Sequence, residues 1–154
     1  MNICGIDPGF SGALAILNKK QEILFTTDMP TLIVGSKNEL NEPAIRELLE
    51  TYKPACVVLE KSQTMPRQGI SSSGRYMASY GFLRGICVGL GIEYHLVHPK
   101  TWKKAMMHDM PKEKGASIQR VGQLYPELSF NRKKDHNICD AILLARYLLQ
   151  KTTG

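Results

Sequence analysis

The stretch MNICGIDPGFSGALAILNKKQEILFTTDM, residues 1–29, carries the clearest fold signal in the chain. It contains three apolar runs, MNICGID, ALAILN and EILFTTDM, which are separated by a turn rich in glycine and proline and by the polar turn KKQ. Strands joined by turns this short pair with antiparallel neighbours. We therefore expect the chain to open with a three-stranded antiparallel meander, whose first strand ends at the carboxylate of Asp7.

Strand and helix patterns alternate after this meander. PACVVLE and EYHLV are short apolar runs that predict two further strands. Helices are predicted for NEPAIRELLETY, for residues 75 to about 90, for the segment opened by HPKTWKKAMM, for KEKGASIQRVGQLY and for HNICDAILLARYLLQ. The stretch PTLIVGSKN has no clear form. The order βββαβαβααα predicts α/β layers around one mixed sheet, in a single domain spanning residues 1–154.

Composition narrows the class of protein. Of the 154 residues 43% are apolar, which is typical of a folded globule. No apolar run approaches the roughly 20 residues that cross a bilayer, and Asp7 interrupts the first one, so we expect a cytosolic protein with no membrane contact. The four cysteines stand singly and are expected to be small core residues. A net charge of +6 suits a polyanionic partner without establishing one.

Three carboxylates far apart in the chain are candidates for one site. Asp7 and Glu60 end strands that are expected to be central, and Asp140 lies in a helix that must pack beside them. Because Asp140 stands among apolar residues, an unpaired charge there would be costly to bury. Oxygen ligands clustered around a hard divalent cation would remove that cost.

Two further groups precede Asp140 closely. His136 lies four residues before it and shares its helix face, and Asp135 lies near the helix start. Each candidate also has an ordinary explanation: Asp7 as a turn former, Glu60 as a solvated strand end, His136 as a surface residue, and Asp135 as an N-cap. Two metal ions about 3.5–4 Å apart would stabilise both the attacking water and the leaving oxygen of a phosphodiester.

Four motifs in order resemble the RuvC-like Holliday junction resolvases, within the ribonuclease-H/integrase-like superfamily. They are GIDPGFSGALAIL, VVLEKSQTMPRQGISSSGRYMASYGFLRGICVGL, VHPKTWKKAMM and DHNICDAILLARY. The third of these resembles a segment that is common in phage and prophage members of the family. The resemblance implies a ribonuclease-H-like mixed five-stranded sheet, with three antiparallel strands and then two parallel ones, flanked by helices. It also implies a bacterial cytoplasm or a phage-infected cell as the location.

The resemblance implies that Asp7, Glu60 and Asp140 are catalytic and bind two Mg²⁺ or Mn²⁺ ions per active site. The family places a fourth group three or four residues before the last acid, where this chain has His136 or Asn137, with Asp135 one position further back. His136 is therefore a candidate metal ligand or proton carrier, and the choice among the three residues stays open.

The implied activity is that of a homodimer that nicks two opposing strands of a four-way DNA junction, leaving 5′-phosphate and 3′-hydroxyl ends. Gly81, Gly85 and Gly89 would let the long helix approach its copy closely, or would instead admit the neighbouring sheet. Gly69 and Ser71 to Ser73 are expected to form a loop that orders on substrate. Contacts to DNA phosphates are expected from residues flanking the acids or this loop: Lys61, Gln63, Arg67, Arg75, Lys100, Lys103, Lys104, Arg132, Lys133 and Lys134.

Trp102 is expected in the core rather than as a platform for stacked bases. No aromatic residue lies between Glu60 and Tyr76, which predicts looser selectivity for junctions. Two alternatives stay open: a ribonuclease-H-like nuclease acting on RNA–DNA hybrids or flaps, and a protein that binds branched DNA without cutting it. A nucleotide-binding lobe of the sugar-kinase and actin type is disfavoured because the chain is too short for two lobes.

Overall fold

A five-stranded mixed sheet organises the fold. The computed structural model describes residues 1–62 and 69–153. The sheet has the order β3-β2-β1-β6-β7 and consists of β1 (Asn2–Asp7), β2 (Ala13–Asn18), β3 (Ile23–Asp28), β6 (Cys56–Glu60) and β7 (Glu93–Val97). The first three strands are antiparallel neighbours, and β6 and β7 run parallel to β1. The predicted meander and the predicted mixed sheet are both confirmed.

Five α-helices flank this sheet within the described ranges: α1 (Glu42–Tyr52), α2 (Ile70–Gly89), α3 (Pro99–Met107), α4 (Ala116–Leu124) and α5 (His136–Thr153). The start of α1 follows from its sequence, since the Asn41 side chain accepts a hydrogen bond from the backbone nitrogen of Ala44 at 3.2 Å. None of these helices is long and apolar enough to cross a membrane.

Two local predictions need correction. Residues 31–40, for which no form was predicted, make a separate antiparallel hairpin of β4 (Thr31–Val34) and β5 (Lys37–Leu40). Helix α2 begins at Ile70 rather than at Arg75, so Ser71 to Ser73 lie in a helix and the expected loop there is wrong. Serine costs a helix only a few tenths of a kcal/mol, and the rest of a long helix outweighs that cost.

The sheet separates two apolar cores. The first lies between the sheet and α3, α4 and α5, and Ile3 of β1 belongs to it. The second lies under α1 and α2, and it takes in Cys4 and Ile6. Because side chains alternate along a strand, Gly5 and Asp7 point to the same side as Ile3, toward α5. All four cysteines are buried and free, as predicted.

Helix α5 crosses β1 at unusually short range. A Cβ atom on Gly5 would lie 2.0 Å from the carbonyl oxygen of Ala141. Only glycine admits a helix backbone this close to a strand. The contact lies next to Asp140 in the helix and two residues before Asp7 in the strand, so it brings the two acids toward each other.

The glycines of α2 do not serve the sheet. Cβ atoms on Gly81, Gly85 and Gly89 would each meet no atom within 4 Å among the described parts of the chain. The alternative that they admit the neighbouring sheet is therefore wrong. Together with Ile70, which is 94% exposed, and Val88, which is 69% exposed, they leave the outer face of α2 small and apolar.

Candidate active site

Asp7 and Glu60 end neighbouring parallel strands. The pairing of β1 with β6 runs through Ile6 opposite Leu59, so the next residue of each strand is an acid. Both acids lie on the face that carries α5, because Asp7 alternates with Ile3 and Glu60 alternates with Val58. Strand register alone therefore places these two carboxylates side by side at the carboxyl ends of β1 and β6.

Electrostatics shows that Asp140 belongs to the same group. Burial raises the pKa of Asp7 to about 8, and repulsion from Glu60 and Asp140 adds to this increase. Burial likewise raises the pKa of Asp140 to about 7, with Glu60 contributing again. Three acids that chain order keeps more than 50 residues apart thus act on one another in a single pocket.

Glu60 is held differently from the other two acids. Burial raises its pKa, while a hydrogen bond from Trp102 and the charges of Lys103 and His98 lower it. The indole Nε1 of Trp102 donates to Glu60 Oε2 at 2.7 Å. Trp102 is fully buried, which confirms its predicted place in the core, but sequence reasoning missed the hydrogen bond.

The donor chemistry fits a hard divalent cation. The site offers three carboxylates, and the pKa of each is raised mainly because its negative charge is poorly solvated. A cation at these oxygens would offset both the desolvation and the repulsion. Among residues 1–62 and 69–153 no three acid, histidine or cysteine side chains converge closely enough to form a finished ligand cage. The three acids are instead related by strand register and, beyond the effect of burial, by the repulsion that raises the pKa of Asp7.

His136 faces Asp140 from one turn earlier in α5. Its Nδ1 atom lies 3.9 Å from Asp140 Oδ2, so the two side chains share a helix face as predicted. Burial lowers the pKa of His136, and the nearby charges of Lys114 and Lys103 lower it further. The imidazole is therefore neutral at pH 7, which is the form that binds metals or accepts a proton.

Both carboxylate oxygens of Asp135 accept hydrogen bonds from Arg132. Its Oδ2 accepts a hydrogen bond from the backbone nitrogen of Arg132 at 3.0 Å, and its Oδ1 accepts one from the Arg132 guanidinium at 2.7 Å. The same guanidinium also pairs with both carboxylate oxygens of Asp28 at 2.8 and 2.9 Å. This network fastens the start of α5 to the end of β3. The geometry favours His136 over Asp135 as the group beside the acids, and the role of His136 stays a prediction.

Lys103 is the cation most closely coupled to the pocket. Its charge lowers the pKa of Asp7, Glu60, Asp140 and His136 alike. Lys103 is nevertheless exposed to solvent. Helix α3 therefore contributes two adjacent residues to the site. The buried indole of Trp102 donates a hydrogen bond to Glu60, and the exposed ammonium of Lys103 lowers the pKa of all three acids.

The other predicted DNA contacts are distributed unevenly. Lys61, Lys100, Lys104 and Lys133 are exposed, and Lys134 is exposed with its ammonium 3.4 Å from Asp28. Arg75 makes contacts within the protein: its guanidinium donates a hydrogen bond to the Asn38 carbonyl at 2.7 Å and lies 5.0 Å from the centre of the Phe10 ring. Gln63 and Arg67 lie outside the described residues.

Sequence reasoning missed three neighbours of the acids. A hydrogen bond from the buried hydroxyl of Ser117 in α4 lowers the pKa of Asp140, and the His136 carbonyl, 3.3 Å from the same hydroxyl oxygen, is an alternative acceptor for its one proton. Lys114 acts on His136, and Tyr76 of α2 feels both Asp7 and Glu60. Ser117 and Lys114 lie outside the motifs, and Tyr76 lies within the second one, where nothing in the sequence marked it as a neighbour of the acids.

Known proteins resemble this chain in structure but not detectably in sequence. No protein-family model and no curated protein matches the sequence. The structure of Thermus thermophilus RuvC in complex with a Holliday junction substrate superposes with a TM-score of 0.70, at 16% identity, over 100% of this chain and 96% of that one. This chain has a RuvC-like fold.

Two further solved structures share the RuvC-like fold. The fowlpox virus resolvase in complex with Holliday junction DNA has a TM-score of 0.62 at 19% identity, with complete coverage of both chains. The yeast mitochondrial Holliday junction resolvase has a TM-score of 0.55 at 13% identity, covering 98% of this chain and 80% of that one. Because identities are this low, the likeness establishes the RuvC-like fold, and the chemistry must be argued from the pocket.

Proposed function

We propose that this chain is a structure-selective DNA endonuclease, a Holliday junction resolvase that makes paired nicks in four-way or other branched DNA. The observation that carries the proposal is the meeting of Asp7, Glu60 and Asp140 in one pocket of a RuvC-like fold. Exposed lysines around that pocket suit a polyanionic substrate.

The three acids would hold Mg²⁺ or Mn²⁺, two ions per active site. Bound at these oxygens, the metal would activate water for attack on a phosphodiester and stabilise the charge that develops on the leaving oxygen. Asp7 and Asp140 have the most strongly raised pKa values, so they have the most to gain from shared positive charge. The products would carry 5′-phosphate and 3′-hydroxyl ends.

His136 would complete the site from the side of α5. Its neutral imidazole lies 3.9 Å from Asp140, so it is placed to bind a metal or to orient water and accept its proton. Lys103 would face the substrate phosphate, since it is exposed and is coupled to all three acids. Lys61, Lys100, Lys104 and Lys133 would position the DNA backbone without reading bases.

A four-way junction has near two-fold symmetry, and a homodimer would match it with two equivalent pockets. The outer face of α2 suits such self-contact, because Cβ atoms added to its glycines would meet no described atom within 4 Å and because Val88 and Ile70 are exposed. We therefore include the homodimer in the proposal.

The test is a panel of labelled substrates with Mg²⁺: a four-way junction, a fork, a flap, an RNA–DNA hybrid and a linear duplex. We expect symmetric nicks in the junction, abolished by Asp7→Asn and by chelation of the metal. Preferred cutting of the hybrid would contradict the resolvase assignment in favour of a ribonuclease H activity. Tight junction binding with no cutting by the wild type would instead indicate a binding protein.

A further inference from the structure

Trp102 is the only tryptophan of the chain, and its single polar atom is aimed at a candidate metal ligand. Its indole Nε1 donates to Glu60 Oε2 at 2.7 Å across 42 residues of sequence. The indole ring is fully buried in the core beneath α5. An indole nitrogen only donates, so this bond requires an acceptor on Glu60.

Packing alone does not call for this partner. A buried indole N–H needs some acceptor, and a neutral backbone carbonyl satisfies it without burying a charge. Here the acceptor is instead a carboxylate at the end of β6, next to the strand end that carries Asp7. The bond therefore satisfies the buried indole and at the same time fixes one oxygen of a candidate metal ligand.

The support for Trp102 is rigid. Val97 pairs with Glu60 in the sheet, and α3 begins two residues later at Pro99, with the His98 side chain accepting a hydrogen bond from the backbone nitrogen of Lys100. The indole is thus tied to the same strand pair that carries Glu60. A glutamate side chain has several rotatable bonds, and a fixed donor on one oxygen removes most of that freedom.

We propose that Trp102 is a positioning residue, which holds Glu60 by Oε2 and leaves Oε1 to serve the active site. The inference rests on the proposed function, because it assigns Glu60 a ligand role there. Partners of metal ligands typically change metal affinity or activity by about 10- to 100-fold when they are removed.

The first experiment uses the single indole as its own probe. In a ¹H–¹⁵N spectrum of the metal-free protein the one indole N–H signal should lie downfield, because it donates to a carboxylate, and it should move upfield in Glu60→Gln. Titration with Mg²⁺ should shift the signal in the wild type and leave it in place in Glu60→Gln. An indole signal that ignores both the substitution and the metal would overturn the proposal.

The second experiment removes the donor and keeps an aromatic ring. Trp102→Phe should raise the Mg²⁺ concentration for half-maximal nicking about 10-fold, while junction affinity measured with Ca²⁺ stays within about twofold because no DNA contact is lost. Met106→Leu is the matched control, since Met106 is buried in the same helix and core and its side chain has no hydrogen-bond donor for a carboxylate. It should leave the metal dependence unchanged, and thermal unfolding of both variants separates loss of fold from loss of position.

The outcomes distinguish this inference from the proposed function. If Trp102→Phe and Met106→Leu show the same metal dependence as the wild type, Trp102 serves only packing, and the nuclease assignment stands. If the wild type nicks no substrate but its indole signal still follows Mg²⁺, the proposed function fails, while the coupling of Trp102 to a metal-binding Glu60 is supported.

Discussion

At the scale of single residues, the pocket is characterised by negative charges that are buried close to one another. Asp7 and Asp140 have pKa values of about 8 and about 7, far above those of a solvated aspartate, because both are buried beside other acids. In the metal-free protein near neutral pH these carboxyls therefore retain protons that the unfolded chain has already lost. Protons and divalent cations compete for the same oxygens.

This competition predicts the pH dependence of stability. A raised acid pKa stabilises the native state fully below the unfolded value, near 4, and that contribution is lost as pH rises through 7 and 8. The metal-free protein should therefore lose stability between pH 5 and pH 8.5, and Mg²⁺ should restore it most at the higher pH. Denaturant unfolding measures both effects.

Asp7→Asn should flatten this profile by removing the most perturbed carboxyl, with a gain of about 1–3 kcal/mol at pH 8.5. Glu39→Gln removes an exposed carboxylate that is not among the charges named as acting on Asp7, Glu60 or Asp140, and it is the matched control. A wild-type profile that is flat, or that rises toward pH 8.5, would refute the assignment of buried, coupled acids.

His136 and Asp135 make a second prediction at this scale, because neighbouring residues have different surroundings. His136→Asn should lower the single-turnover nicking rate by about 100-fold with little change in stability. Asp135→Asn should cost about 1–2 kcal/mol of stability, since it weakens the bonds to Arg132. Nicking by the folded fraction of that variant should stay within about threefold of wild type. The reverse ranking would make Asp135 the fourth active-site group.

At the scale of elements, the pocket is built by register and by one close crossing. The pairing of β1 with β6 sets Asp7 beside Glu60, and the crossing of α5 over Gly5 delivers Asp140 to the same edge. The network of Arg132 with Asp28 and Asp135 fixes the start of α5 against β3. The acids are thus held by rigid elements rather than by loops.

Gly5→Ala tests the crossing. The added methyl carbon would meet the Ala141 carbonyl at 2.0 Å, so α5 must move outward and carry Asp140 with it. We expect a loss of about 3 kcal/mol or more in stability, together with a larger loss of nicking than of junction binding. Gly122→Ala in α4, where an added Cβ meets nothing within 4 Å, is the control and should gain up to about 1 kcal/mol. Equal effects of the two substitutions would show that the close crossing at Gly5 does not position Asp140.

At the scale of the whole molecule, the surface at α3 is rich in lysine, and the outer face of α2 is small and apolar apart from the exposed Arg84. Exposed lysines lie on and beside α3 near the acids, whereas α2 turns a face of glycines, Ile70, Met77 and Val88 outward. Exposed apolar patches of this kind mark interaction sites. In the proposed homodimer, contact between two copies of α2 would cover this face.

Val88→Glu tests this arrangement. Val88 is 69% exposed, so the substitution should not disturb the fold, but a charge placed in a self-contact would break it. We expect a monomer by light scattering and a loss of paired nicking, with single nicks remaining. Val34→Glu, at a residue that is 59% exposed on the β4–β5 hairpin, is the matched control and should stay dimeric. A Val88→Glu protein that stays dimeric would place the interface elsewhere.

Much of this architecture follows from local sequence. Short turns between apolar runs determined the meander, the apolar run ending in Glu60 determined a central strand, and Asn41 with Pro43 determined the start of α1. The hairpin of residues 31–40 was missed because its strands are four residues long and largely exposed, which leaves no burial pattern to recognise. The start of α2 was misjudged because serine is nearly neutral toward helix formation.

Asp7, Glu60 and Asp140 could be proposed as one site from the sequence, because Asp140 stands among apolar residues and the RuvC-like motifs carry all three acids. How the acids are held could not be predicted in this way, since it depends on tertiary contacts. The bond from Trp102 to Glu60, the hydroxyl of Ser117 beside Asp140 and the passage of α5 over Gly5 each join elements that are distant in the chain. Contacts of this kind depend on packing distance, which no local pattern of residues encodes.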